Sequence, residues 1–160
     1  MKRIITLILA GAVLFPLAGC SNEAIVLLDA ATAAAEQLVP AFTSDPQIIA
    51  CANSMAGGLD KAALELESAD SASVKAQKIA GYLDGPVAGC SAISELSPRG
   101  QALVQALVSA VNAFLAQTGA TGSGPTPLAA AAPQAVSHNP KIEAIRIRLA
   151  LIRSQSAAAK

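Results

Sequence analysis

The sequence predicts an all-α protein: a small helical bundle of about four helices, stapled by one disulfide, then a flexible linker and a C-terminal helix. Three observations carry this. Apolar residues recur at three- and four-residue spacing through most of residues 22–118. A polar capping residue followed by proline marks helix starts at Asp45-Pro46, Ser97-Pro98 and Asn139-Pro140. The chain is rich in Ala, and no stretch before residue 139 reads as a strand.

Taken in order, Ser21 or Asn22 caps a first helix to about Val39, with Ile25, Leu28, Thr32, Ala35 and Leu38 on one face and Pro40 as the stop. Asp45-Pro46 starts a second helix carrying Ile48, Ile49, Cys51, Ala52 and Met55. Gly57-Gly58 is expected to interrupt it, with a further turn or two over Asp60–Glu67. Asp70-Ser71 caps a third helix through Val74, Ile79 and Leu83, and Asp84-Gly85-Pro86 is expected to end it before Cys90. After Ser97-Pro98, residues Leu103, Val104, Leu107, Val108, Val111, Phe114 and Leu115 make the broadest apolar stripe. Polar residues cover the other side of this helix, and Gln117-Thr118-Gly119 closes it. Residues 119–138 hold Gly, Ser, Thr, Pro and Ala without a charge, the composition of a spacer. Asn139-Pro140 starts the last element, in which Ile145-Arg146-Ile147-Arg148-Leu149 also alternates with the period of a strand. The start signal and the Ala-rich end assign it to a helix.

The amino-terminal residues carry an address. Met1-Lys2-Arg3 is basic, and the run Ile4–Leu17 is apolar apart from Thr6, Gly11 and Pro16. It is shorter than the roughly 20 residues that span a bilayer, so it predicts an export signal. Leu17-Ala18-Gly19-Cys20 resembles the lipobox of bacterial lipoproteins. That resemblance implies cleavage between Gly19 and Cys20, a diacylglycerol on the Cys20 thiol and acylation of the new amino terminus. Two or three chains make a durable anchor where one is marginal, because each buried methylene contributes about 0.8 kcal/mol. Ser21 after the cysteine resembles outer-membrane cargo in a Gram-negative host. The resemblance covers about an eighth of the chain and leaves the function of the rest open.

The domains expected are therefore 1–19 as signal peptide, 20–118 as helical domain, 119–138 as linker and 139–160 as basic C-terminal helix. Without residues 1–19 the formal charge falls from +0 to −2. Residues 20–118 hold ten acidic and four basic residues, whereas 119–160 hold five basic residues and only Glu143. Export and the scarcity of aromatics beyond residue 19 (Phe42, Tyr82 and Phe114) argue against nucleic acid as a partner. Export also places Cys51 and Cys90 in an oxidising compartment, where a disulfide closing about 40 residues contributes roughly 4 kcal/mol. A metal pair and a reactive thiol are the alternatives, but these cysteines with one distant His match no zinc spacing.

Chemistry is sparse. His138 stands alone in the linker, Gly57-Gly58 lacks the Lys and Ser/Thr of a phosphate loop, and Glu65, Glu67 and Asp70 read as a solvated helix end. No enzyme, metal site or cofactor is expected. The last helix has two readings. It is a fifth packing helix, or it is a tethered arm, free of a body 20–118 that folds alone, on which Lys141, Arg146, Arg148 and Arg153 meet an anionic surface or an envelope protein. The terminal Lys160 resembles, in outline, the peptidoglycan-linked lysine of the major murein lipoproteins, though this chain is longer, carries a linker and lacks a continuous heptad. The leading expectation is a membrane-anchored structural or interaction lipoprotein on the periplasmic face of the outer membrane. A small carrier with an apolar pocket, a peptidoglycan tether and a lysis-type lipoprotein are the alternatives.

Overall fold

A computed structural model describes residues 20–42, 45–119 and 138–159. Within them the chain forms five α-helices and no strand: α1 (Cys20–Glu36), α2 (Pro46–Glu67), α3 (Ala72–Ser91), α4 (Pro98–Thr118) and α5 (Pro140–Ala158). A 3-10 turn, Val39–Ala41, follows α1. The helices pack in a ring in the order α1, α5, α2, α3, α4, with α1 and α2 also meeting across it.

Four polar ties set the directions. Gln117 Nε2 donates to Glu23 at 2.6 Å, so the end of α4 lies beside the start of α1. Ser97 donates to Asp45 through its Oγ (2.6 Å) and its backbone N–H (3.2 Å), joining the starts of α4 and α2. The Asn139 N–H donates to Glu67 at 2.7 Å, joining the start of α5 to the end of α2. Ser156 Oγ lies 3.2 Å from Asn53 Oδ1, near the opposite ends of the same two helices. Helices α1, α3 and α5 therefore run one way and α2 and α4 the other. One end of the bundle, here called proximal, holds Cys20, the turn between α2 and α3, the end of α4 and the start of α5. The distal end holds the other two connections and Ala159.

The core follows the expected stripes. Ile25, Leu28, Ala35 and Leu38 of the first face are buried, and Thr32 among them donates its hydroxyl to the Leu28 carbonyl at 2.9 Å. Leu107, Val111 and Phe114 of α4 have no exposed surface, nor do Ile48, Met55 and Leu59 of α2. Helix α4 begins with the Ser97 Oγ accepting from the Gly100 N–H and ends at Gly119, whose φ of 74° is the left-handed cap that glycine supplies without strain. Asp45 and Ser71 hold N-cap positions without capping through their side chains, and Asp45 instead holds Ser97.

Two expected breaks are absent. Helix α2 runs unbroken through Gly57-Gly58, and α3 continues past Asp84-Gly85-Pro86 to Ser91. The two corrections share one cause. Pro86 has no N–H, so the Tyr82 carbonyl one turn earlier loses its helical donor. Gly58 lies against that same carbonyl: a Cβ there would stand 2.7 Å from Tyr82 O and 3.0 Å from a Leu83 methyl. The glycine lets α2 approach α3 until backbone meets backbone, and packing holds both helices together through residues that would end them in isolation. The first helix is also shorter than expected, ending at Glu36, and Pro40 sits inside the 3-10 turn.

Helix α5 is a fifth packing helix, the first of its two readings. Ile142, Ile145, Leu149 and Ile152 are buried between α1 and α2. The alternation at 145–149 is helical after all, because Arg146 and Arg148 leave the seam sideways and only Ile147 points outward.

Candidate functional site

The two internal cysteines are joined. Cys51 of α2 and Cys90 in the last turn of α3 form a disulfide with an S–S distance of 2.11 Å and a Cα–Cα distance of 5.0 Å. Both are buried, so the bond staples α2 to α3 near the distal end. Cys20 is the first described residue of α1. Gly19 and the rest of the proposed signal, most of the linker and Lys160 lie outside the described residues. By length and composition alone, the segment Asn22–Ala41 near the amino terminus is apolar enough to cross a membrane. In the bundle its buried face packs against α4 and α5.

The four basic residues of α5 divide. Arg148 reaches α1, where Nε and Nη2 each donate to Glu36 at 2.7 Å and Nη1 donates to Asp29. This two-pronged hydrogen bond holds the Glu36 carboxyl below its ordinary value against the opposing effect of burial, and it raises Arg148. Arg146 donates from Nε to Asp60 of α2 at 3.0 Å. These two arginines join α5 to the acidic body. Lys141 and Arg153 are exposed and carry no ion pair among the described residues. The acidic cluster at the proximal end is likewise engaged within the chain. Lys78 pairs with Asp70 and, at 3.4 Å, with buried Glu65, while Glu67 accepts from the N–H of Asn139, the N-cap of α5.

Arg153 leads to a feature the sequence reading did not find. A groove of about 420 Å³ runs between α2, α3 and the end of α5. Lys61 and Arg153 stand over it, with Asn53, Ser54 and Tyr82. Its remaining wall includes Gly57, Gly58 and Gly81, positions at which the helices present bare backbone. The Lys61 ammonium lies 5.8 Å from the centre of the Tyr82 ring, within cation–π range. A smaller groove of about 40 Å³ lies at the distal end near Arg99 and Ser97. The spacing of glycines in α2 and α3 was the available signal, but it was legible only once those helices were known to be continuous and adjacent.

No protein-family model, curated protein or solved structure matches the chain. Its chemistry is therefore read from the bundle alone. Among the described residues no three metal-ligating side chains come together. The buried residues of all five helices form one apolar cluster, and both grooves carry charged and polar groups on their walls.

Proposed function

We infer that the chain is an envelope lipoprotein, held in a membrane by lipid on Cys20, whose disulfide-stapled five-helix bundle acts as a structural or interaction module. The observation that carries this reading is the sequence motif that ends at Cys20. The lipobox Leu17-Ala18-Gly19-Cys20 puts the lipid-bearing cysteine on a residue that is itself part of α1. An acyl anchor there holds the proximal end of a rigid bundle against the bilayer without an intervening spacer, and α1 carries the bundle about 25 Å outward at 1.5 Å per residue.

Further support comes from the staple and from the surface. A disulfide joining α2 and α3 suits an oxidising compartment. An envelope protein as partner would meet the outer side of α5, where Ile147 and Leu151 are each 56% exposed one turn apart. The test is the Cys20→Ser variant, followed with a clickable fatty acid and by its size on a gel. The wild type takes the label and loses residues 1–19; the variant takes no label and keeps them. A variant processed like the wild type would overturn the reading.

A further inference from the structure

We propose that the groove between α2, α3 and α5 is a binding site for a small soluble molecule bearing an oxyanion, a phosphate ester or a carboxylate, with Lys61 and Arg153 as its charge partners.

Charge is the first ground. Elsewhere in the described residues Lys78, Arg146 and Arg148 have carboxylate partners within ion-pair distance. Lys61, Lys75, Arg99, Lys141 and Arg153 have none among the described residues, and of these five Lys61 and Arg153 face one groove. The carboxylate beside them, Asp60, accepts from Arg146 at 3.0 Å, so its charge is already offset. The groove thus keeps two cations in an otherwise acidic body. An arginine fork can hold two oxygens of one anion, and an ammonium adds a point charge. Neutral donors stand alongside: the Asn53 amide, whose oxygen lies 3.2 Å from Ser156 Oγ, and the Ser54 hydroxyl.

Shape is the second ground. Glycine inside a helix costs about 0.5–1 kcal/mol relative to alanine. Gly58 has a packing reason, because a Cβ would strike the Tyr82 carbonyl. Gly57 and Gly81 have none, since a Cβ at either meets nothing within 4 Å. Both line the groove, and what their missing side chains do is keep it open. Its volume falls at the lower end of small-molecule sites.

Position selects a soluble ligand over a headgroup of the anchoring leaflet. Gly57 lies ten residues from the proximal end of α2, which places the groove about 15 Å above that end.

The full chain in nonionic detergent, labelled with ¹⁵N, is titrated with glycerol phosphate, inorganic phosphate and acetate, each against sodium chloride of equal ionic strength. Saturable shifts are expected at Asn53, Ser54, Gly57, Lys61 and Tyr82. Tighter binding of glycerol phosphate assigns a phosphate ester, and tighter binding of acetate assigns a carboxylate. Arg153→Gln is expected to weaken binding about tenfold, as loss of a charge-assisted contact does. Arg99→Gln, outside the groove, should leave it unchanged. Gly57→Leu, which adds its Cβ into open space, should fold and block the larger ester more than inorganic phosphate. Shifts that never saturate, or that respond equally to Arg99→Gln and Arg153→Gln, would overturn the site.

Discussion

Replacing Leu149 with alanine measures how far α5 belongs to the bundle. Leu149 has no exposed surface and lies on the seam with Ile145 and Ile152. The substitution removes three carbon atoms; at about 0.8 kcal/mol for each buried methylene the transfer loss is about 2.4 kcal/mol. The cavity left behind adds to this and brings the expected total to about 3–4 kcal/mol, within the 2–5 kcal/mol range for buried leucines. With a urea slope near 2 kcal/mol/M, the unfolding midpoint falls by about 1.5–2 M. Circular dichroism against urea, on the chain without residues 1–19, reads this directly. Ile147→Ala is the control: its side chain is 56% exposed on the same helix, and its effect stays within about 0.5 kcal/mol. If Leu149→Ala matched Ile147→Ala, α5 would contribute nothing to the fold and the tethered-arm reading would return.

Other substitutions test the remaining contacts. Changing Cys51 and Cys90 together to alanine opens a loop spanning 39 positions and lowers stability by about 4 kcal/mol in the chain-entropy model, read by urea unfolding with and without reductant. Gly58→Ala places a Cβ 2.7 Å from the Tyr82 carbonyl and costs about 1–3 kcal/mol, whereas Gly57→Ala gains about 0.5–1 kcal/mol; equal melting shifts for the pair would contradict the close approach of α2 and α3. Arg148→Met removes the hydrogen bonds that hold Glu36 below its ordinary value of 4.5. A depressed carboxyl contributes stability above its unfolded-state value and loses it as pH falls through the folded one. The Arg148→Met penalty, no more than about 1 kcal/mol for so exposed a pair, is therefore present at neutral pH and shrinks as pH falls below 4.5 towards the lowered folded-state value. A penalty that did not change with pH would place its origin in packing.

Most of the helix content and core were legible in the sequence, because burial in a helix leaves a periodic trace. Ile25, Leu28, Thr32, Ala35 and Leu38 were placed on one face by spacing alone, and all are buried. Local breakers were misleading for the opposite reason. Gly57, Gly58, Gly85 and Pro86 carry strong local preferences, but the contact that decides their role, between Gly58 and the Tyr82 carbonyl, joins residues 24 positions apart (82 − 58). In α5, arginines reaching sideways to Glu36 and Asp60 gave an alternating pattern that resembles a strand. The charge asymmetry between body and last helix was visible, but not that Arg146 and Arg148 spend it inside the molecule. The groove was hidden for the same reason: Lys61 and Arg153 are 92 positions apart in sequence (153 − 61) and come to line one groove only through the packing of α5 on α2.

Lipid on Cys20 decides where the bundle sits. Intact mass spectrometry of the protein extracted from membranes reads its amino terminus and its cysteines together. The predicted mass is that of residues 20–160 plus two or three acyl chains, less the two hydrogens lost in forming the disulfide. A chain retaining residues 1–19, or one cleaved there without lipid, would contradict the account.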